Sequence, residues 1–504
     1  MQNRPDDPTP PAPWLTLRTL REDVAPARAP IANSTPTPPS LHSISTVDWL
    51  DTLIEETIDG ASSAPSSAPA RKVIATAKPA PTEFAEFSIG DAATSVLARV
   101  LLGFSPVIDP AEGVIATRLT VVPVRTSGTV DAGALLEAIG EVWPSGRGIV
   151  SLNVASEMLL SDLLRVRPPA NVMIEVPAFI AADPAHSEAL IQLSRRDCAL
   201  LLKGRPQREL PRAVLPCFKW SIIDLLEERR TPHAAPPGVT RSIPHIQSGV
   251  RTMAQLRRSF ALGAIAVIGW PLHEALADPR QARPDKRVVL DAIDRIDQGD
   301  SPQAIDHVLM RDPVLALELL QYLAAEGRTL AVETRSLSHA VSMLGREALR
   351  RWLGRLLVSS DDGITMRPAN FAALRRGLLM RMLAAGAGQQ EQRGELFMCG
   401  VFSLLDRIHA RPLPELLRHL ALPEHVRAAL VDRSGPYFPL LELARAVESE
   451  VPHDIRAASE AVFMQPLEIN RALLRSLLVA SHLEKPGAPL AQGAAMRFSE
   501  HPPT

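Results

Sequence analysis

The cysteines of the chain are too few and too far apart for disulfide or zinc chemistry. Only Cys198, Cys217 and Cys399 occur in 504 residues. None belongs to a CxxC motif, and no histidine pair stands at zinc-ligand spacing. A disulfide scaffold and a zinc module are therefore excluded, and we interpret each cysteine as a small core residue.

An arginine-rich stretch from Arg346 to Arg381 is a candidate interaction face for an acidic partner. It includes Trp352, and its Arg351 and Arg355 lie four residues apart, on one side of a helix. The same pattern is also typical of the solvent side of an amphipathic helix. No recognisable DNA-reading motif accompanies it, so we do not expect nucleic acid as a partner.

Length and charge limit the classes of protein. At about 150 residues per domain, the chain is long enough for roughly two or three folded units. The net charge of -2 provides no overall field that would attract nucleic acid or a membrane surface. No run of about 18 apolar residues occurs, and the N-terminus lacks the basic and then apolar segments of a signal peptide. We therefore expect a cytoplasmic protein without a membrane partner.

Proline, alanine and serine dominate residues 1–88, and we predict a disordered arm there because such a composition buries too little apolar surface. Within it, residues 46–58 place Trp49, Leu53 and Ile58 on one helical stripe. This segment is either a docking helix or a transient one. We also predict a linker at 273–284 and a disordered tail at 485–504.

Strand-like and helical patterns alternate through residues 93–272. The predicted strands are Gly113–Val124, Gly148–Val154, Asn171–Val176, Cys198–Leu202, Val214–Lys219 and Ala264–Ile268. The predicted helices are Ala132–Val142, Glu157–Val166, Glu188–Arg195 and Thr252–Leu262. This alternation is typical of an α/β fold with a parallel sheet, open or closed as a barrel, whose functional residues lie at the carboxyl ends of the strands.

Several stretches of this region, in their order and spacing, resemble the EAL domain of cyclic di-GMP phosphodiesterases. They are Gly103–Asp109, the segment GVIATRLT, Ser151–Val154, Val172–Val176, Ser248–Thr252 and the segment LGAIAVIGWPL. The resemblance implies a TIM-like barrel. Because the region is shorter than a full barrel of about 250 residues, we expect a degenerate and incomplete one.

The departures from the EAL pattern concern its metal site. The family holds divalent cations with several carboxylates and an asparagine. The resemblance places Arg118 at the signature glutamate, and Asn153 and Glu175 remain as vestiges of the metal site. The other positions of the family's site fall on Lys203-Gly204, Ser221, Ser248 and Arg251. We therefore expect no metal and no catalytic residue.

Basic side chains in the same region suit phosphate groups. The resemblance brings Arg118, Lys203, Arg205 and Arg251 towards the strand ends, where they would contact the phosphates of bound cyclic di-GMP. The alternative is that these long side chains are simply solvated.

Residues 285–484 repeat apolar side chains at helical spacing without strand signals, which predicts an all-α domain. Met310–Leu315, Leu337–Gly345, Leu349–Leu353 and Phe397–Asp406 resemble the HDOD domain, a helical relative of the HD phosphohydrolases that lacks their metal site. One His-Asp dipeptide, His453-Asp454, is present. We interpret it as a helix-start aspartate in a turn rather than a metal pair.

The two resemblances together indicate a bacterial EAL-HDOD signalling protein in which both sets of metal ligands are lost. We predict a non-enzymatic regulatory protein without a cofactor. It would be a protein-interaction platform connected to cyclic di-GMP signalling, with motility, biofilm or stress output. Two alternatives stay open: a cyclic di-GMP-binding effector without hydrolysis, and a residual phosphodiesterase.

Overall fold

The structure is a computed structural model. It describes residues 91–125, 130–144, 148–228, 243–276, 282–326, 333–357, 360, 367–384 and 390–483. The described residues belong to one compact unit. The predicted arm at 1–88, its helix at 46–58 and the tail at 485–504 lie outside the described residues, as does part of the predicted linker at 273–284.

Eight strands close into a barrel in sequence order. They are β1 (Val100–Ile108), β2 (Val114–Pro123), β3 (Val150–Val154), β4 (Val172–Pro177), β5 (Leu200–Lys203), β6 (Phe218–Asp224), β7 (His245–Val250) and β8 (Ala266–Gly269). Strands β2 to β8 run parallel, whereas β1 is antiparallel to both of its neighbours, β2 and β8. We call the end of the barrel at the carboxyl ends of the parallel strands the barrel mouth.

The helices around the barrel form an incomplete outer layer. In the described part they are α1 (Asp91–Leu97), α2 (Ala132–Val142), α3 (Glu157–Leu163), α4 (Ala178–Ala181), α5 (Pro184–Arg195) and α6 (Met253–Ala261). Local capping explains where several begin. The Asp131 side chain accepts hydrogen bonds from two backbone amides at the start of α2, and Thr252 and Gln255 form a reciprocal capping box at the start of α6.

A helical region follows the barrel. Its helices are α7 (Lys286–Asp297), α8 (Pro302–Leu309), α9 (Pro313–Ala325), α10 (Leu337–Leu344), α11 (Arg346–Leu356), α12 (Pro368–Leu383), α13 (Gln390–Phe402), α14 (Leu405–His409), α15 (Leu413–Leu416), α16 (Glu424–Arg427), α17 (Phe438–Ser449), α18 (Pro452–Ala461) and α19 (Pro466–Leu483). Helix α12 is buried along nearly its whole length and packs against α13, α17 and α19. None of the described helices is long and apolar enough to cross a membrane.

Strand β1 depends on the helical region for its cover. It turns directly into the antiparallel β2, so no crossover helix packs over it as in a βαβ unit. All nine of its residues are nevertheless buried, because α17, α18 and α19 pack against it. Apolar residues of the barrel exterior and of the helical region accordingly form one continuous core.

Asn470 of α19 fastens this contact. Its side-chain amide donates to the carbonyl oxygens of Leu97 and Val100, each at 2.8 Å, and its oxygen accepts from the Leu102 amide at 3.1 Å. Val100 and Leu102 direct these groups to the edge of β1 that faces away from β2, where β8 pairs only with Val107 and Ile108. The asparagine therefore satisfies backbone groups that β2 leaves without a partner.

The expected fold class is confirmed: the structure has an incomplete TIM-like barrel of mixed strands followed by a helical region. Helix α2 has the predicted bounds. The predicted strand Val214–Lys219 is wrong in its first part, because the Pro216 segment forms a 3-10 turn over Leu215–Cys217 before β6. Strands β1 and β7 were not predicted.

One interpretation of the helical region needs a correction. The His453-Asp454 dipeptide lies in the first turn of α18 rather than in a turn between elements. Its interpretation as a helix-start aspartate is confirmed.

Replacing Asn470 by alanine should lower the free energy of unfolding by about 2–3 kcal/mol, because three buried backbone groups lose their partner. Chemical denaturation followed by circular dichroism measures this loss. Glu460→Ala, on the exposed side of α18, is the control and should change stability by no more than about 0.5 kcal/mol. Equal effects of the two variants would contradict the role of Asn470.

Candidate functional site

A cleft of about 890 Å³ opens at the barrel mouth, between the strand ends and the helical region. Strands β2, β3 and β5 contribute Arg118, Asn153 and Lys203 to its wall. The corner between α17 and α18 contributes Glu450. Four of the candidate residues, Arg118, Asn153, Lys203 and Arg251, do meet at this end of the barrel, where functional residues were expected.

Arg118 forms a buried bidentate ion pair with Glu175. Its Nε and Nη2 atoms each lie 2.7 Å from a carboxylate oxygen of Glu175. The Ser151 hydroxyl donates to Glu175 Oε1 at 2.9 Å. Only 8% of the surface of Arg118 and 1% of that of Glu175 is exposed. Two parallel N–H···O bonds in such a dry place fix both side chains in one geometry.

Glu450 accepts a further hydrogen bond from Arg118, on the side away from Glu175. Its Oε2 accepts from Arg118 Nη1 at 3.2 Å, and its Oε1 accepts from the hydroxyl groups of Thr120 at 2.8 Å and Ser105 at 3.1 Å. Three barrel residues therefore bind one carboxylate of the helical region. We call Ser105, Arg118 and Thr120 the carboxylate cradle.

Lys203 extends this network along the strand ends. Its ammonium group donates to Asn153 Oδ1 at 2.7 Å, and Asn153 Nδ2 donates to the Thr120 hydroxyl at 3.0 Å. Register explains the contact with Thr120, because Thr120 and Asn153 are direct neighbours in the β2–β3 ladder. The amide of Asn153 thus joins Lys203 to the carboxylate cradle.

The four charged side chains of the network balance one another. Burial by itself would lower the pKa of Arg118, but the carboxylates of Glu175 and Glu450 outweigh it and raise that pKa. Burial opposes ionisation of Glu175 as well, yet Arg118 holds its pKa below the usual value. For Lys203, burial prevails and the pKa is lowered. Two cations face two anions, so the formal charge of the network is zero.

The donor set does not fit the divalent cations that the EAL resemblance implies. Both oxygens of Glu175 are bonded to Arg118, and the amide oxygen of Asn153 is bonded to Lys203. A metal ion would have to displace two cations to reach these oxygen atoms. In the described part of the chain, no three His, Cys, Asp or Glu side chains are grouped so as to hold a metal.

The other predicted phosphate contacts are divided between the cleft and the surface. Arg251 follows β7, lines the cleft and is exposed. Arg205 is exposed and does not line the cleft. Arg118 does reach the mouth, but two protein carboxylates already pair with it. Of the four predicted contacts, Lys203 and Arg251 therefore present their charge to the cleft most directly.

The candidate partner surface on α11 is only partly exposed. Trp352 is 5% exposed and stacks on Tyr322 with 5.8 Å between the ring centroids, so it packs in the core and does not face a partner. Arg351 and Arg355 are exposed. The guanidinium of Arg355 lies 5.3 Å from the Tyr322 ring centre, in cation–π contact.

Glu450 is held in place by its neighbours in the chain. The Glu448 carboxylate pairs with the buried Arg376, at 2.9 Å in one of its two bonds, and the Glu448 carbonyl accepts from Trp270 Nε1 at 2.8 Å. On the barrel side, Gly103 allows close approach, since a Cβ there would lie 3.0 Å from Glu450 Cα. This corner is thus attached to both parts of the molecule.

The backbone of Glu450 adopts a left-handed conformation, with φ 58° and ψ 13°. Glycine or asparagine usually occupies this position after a helix, and another residue there costs about 1–2 kcal/mol. The contacts of the carboxylate offset that cost. Sequence reasoning missed Glu450, Ser105 and Thr120, and the only local signal was the absence of a glycine at the end of α17.

Comparison with known proteins relates part of the chain to cyclic di-GMP phosphodiesterases. Over 148 residues it is 26% identical to the uncharacterized protein YuxH of Bacillus subtilis (strain 168). Over 144 residues it is 24% identical to the cyclic di-GMP phosphodiesterase CdgJ of Vibrio cholerae serotype O1. This part of the chain is an EAL-like domain related to these proteins.

These matches are partial. Each covers 29% of this chain, and the matched part spans 36% of YuxH and 33% of CdgJ. No protein-family model matches the chain.

Three solved structures are similar to parts of the chain. The MmoQ response regulator of Methylococcus capsulatus str. Bath has a TM-score of 0.32 and 16% identity, covering 38% of this chain and 97% of its own. The EAL-like domain protein YdiV has a TM-score of 0.24 and 14% identity, covering 33% and 88%. Klebsiella pneumoniae BlrP1, in a calcium/cy-diGMP complex, has a TM-score of 0.23 and 15% identity, covering 37% and 61%.

Replacing Arg118 by methionine should lower the free energy of unfolding by about 3–5 kcal/mol, because Glu175 is left buried without its partner. The double variant Arg118→Met/Glu175→Leu removes both charges and should recover most of that loss. Urea denaturation of the single and double variants measures the coupling.

The matched control is Arg411→Met, which breaks an exposed Arg–Glu pair with Glu415. Its effect should stay below about 1 kcal/mol. A double variant whose loss equals the sum of the losses of Arg118→Met and Glu175→Leu would show that the two side chains are not coupled.

Proposed function

We propose that the protein is a non-enzymatic regulatory protein of cyclic di-GMP signalling that works as a protein-interaction platform. In this proposal the EAL-like barrel keeps its shape without hydrolysis, and the helical region is an HDOD domain. The process that it regulates would be motility, biofilm formation or a stress response.

The observation that carries the proposal is the bidentate Arg118–Glu175 pair. EAL-type hydrolysis, as the resemblance implies it, needs a water activated by metal ions that carboxylates hold. Here a guanidinium occupies both oxygens of the remaining glutamate, and Lys203 occupies the oxygen of Asn153. The short distances of these bonds, and the bidentate contact with Arg118, support a structural role for Glu175 and Asn153 in place of metal binding.

The joined architecture supports the platform role. The barrel and the helical region share one apolar core, and the helices cover β1. A protein that keeps this assembly without EAL-type hydrolysis presents a large surface to which both the barrel and the helical region contribute. The exposed Arg351 and Arg355 on α11 are our proposed contact for an acidic protein partner.

A cyclic di-GMP effector is the second candidate. Lys203 and Arg251 line a polar cleft of about 890 Å³, and Arg407, Arg433 and Arg445 of the helical region line it too. Carboxylates of the same wall offset much of this charge, among them Asp224, Asp406 and Glu448. This near balance favours the platform over the effector.

One titration separates the three functions. Purified full-length protein is titrated with cyclic di-GMP in a calorimeter, with magnesium or manganese present, and the cell contents are then analysed for linear product. The platform predicts a flat curve and no product above the blank. Saturable binding without product would establish the effector.

Linear product would instead establish a residual phosphodiesterase, provided that Glu175→Gln abolishes its formation. An active EAL phosphodiesterase assayed in parallel shows that the conditions permit turnover.

The platform role also predicts a charge-dependent partner contact. The double variant Arg351→Glu/Arg355→Glu should lose, by at least tenfold, a protein that co-purifies with the tagged full-length chain from its host cells. The double variant Arg165→Glu/Arg167→Glu changes two exposed arginines on the barrel and should retain it. A partner retained by both variants would exclude this surface.

A further inference from the structure

The carboxylate of Glu450 is an anion that the helical region places in the barrel mouth. Seven hydrogen-bonding residues of the barrel act there as one network: Ser105, Arg118, Thr120, Ser151, Asn153, Glu175 and Lys203. Glu450 is the member of this network that comes from outside the barrel. Its side chain keeps 16% exposure towards the cleft, so it can be approached by a molecule from that side.

Charge balance makes the cradle dependent on an anion. With Glu450 in place, Arg118 and Lys203 face Glu175 and Glu450, and the network is neutral. Without Glu450, two cations face one carboxylate in a largely buried place. An uncompensated buried charge is strongly unfavourable, so departure of Glu450 requires another anion in the cradle.

Glu450 is also mechanically coupled to the helical region. Two residues before it, Glu448 pairs with Arg376, which in turn donates to the Ser403 hydroxyl at 2.7 Å. The carbonyl of the same Glu448 accepts from Trp270. Once the Glu450 carboxylate leaves the cradle, its contacts no longer offset the cost of the left-handed Glu450 backbone, which destabilises the end of α17, where barrel and helices meet.

We infer that Glu450 is an internal plug of the barrel mouth: an anionic ligand reaches Arg118 only by displacing the Glu450 carboxylate, and its binding thereby loosens the corner between α17 and α18 from β1. This role rests on the proposed non-enzymatic function, since it treats the mouth as an anion site without hydrolysis. If the Glu450 carboxylate is out of the cradle in about one molecule in a hundred, the protein binds the ligand about a hundredfold more weakly than a protein whose mouth is always open.

The plug predicts two effects of Glu450→Gln, which keeps the shape of the side chain and removes its charge. Hydrogen exchange of the backbone amides in 446–452 and 100–106 should become at least tenfold faster in the free protein. Cyclic di-GMP, used as the anionic probe in calorimetry, should bind Glu450→Gln saturably, at concentrations at least tenfold below the highest one at which the unchanged protein still gives a flat curve.

Asp454→Asn is the matched control. Asp454 lines the same cleft and carries the same charge, but its carboxylate accepts from the Ser449 hydroxyl, at 3.4 Å, and not from a residue of the cradle. It should change neither the exchange nor the affinity by more than about twofold.

The plug is supported when Glu450→Gln alone produces both effects. It is overturned when Glu450→Gln exchanges like the unchanged protein, when the nucleotide stays unbound despite faster exchange, or when Asp454→Asn raises the affinity equally. The last outcome would reduce the effect to the general charge of the cleft. A different observation would contradict the proposed non-enzymatic function: formation of linear product by the unchanged protein.

Discussion

The buried contact between Arg118 and Glu175 is the interaction on which the rest of the barrel mouth depends. A guanidinium and a carboxylate in a nearly dry site must pair well, because each charge alone would be costly there. Two bonds of 2.7 Å and the hydroxyl of Ser151 meet that requirement. The third nitrogen of Arg118 still needs an acceptor, and the helical region supplies it in Glu450. Arg118 of the barrel thus links the buried pair to a contact with the helical region.

The direction of β1 is the second constraint. A strand that turns back into an antiparallel neighbour has no crossover helix to cover its outer face. Helices α17, α18 and α19 provide that cover, and Asn470 satisfies the backbone groups near the start of the strand. The barrel and the helical region therefore complete each other, which explains their single continuous core. The same packing brings the end of α17 to the mouth.

Local sequence patterns predicted an element correctly where the segment itself contains the residues that cap it or favour its conformation. Helix α2 begins at the predicted residue because Asp131 caps it, and β2 to β5 were found because β-branched runs alternate with helical segments. These patterns failed where packing against residues distant in the sequence decides the structure. Strand β1 contains Gly103 and Pro106, which weaken a strand signal, and it forms because β2 and the C-terminal helices surround it. Trp352 looked like part of a binding surface, but Tyr322 of α9 covers its ring.

The sequence by itself determined the alternation of strands and helices, the change to an all-helical region, and the presence of a cation, Arg118, on a predicted strand. These are properties of residue type and local spacing, which a single chain segment carries. Only the tertiary structure decided what Arg118 does. Its partners Glu175 and Glu450 stand 57 and 332 residues away, and a charge pattern along the chain contains no information about which distant carboxylate the fold brings within hydrogen-bonding distance. For the same reason, the sequence identified Arg118, Lys203 and Glu175 but missed Glu450, the carboxylate that completes the charge balance of the mouth.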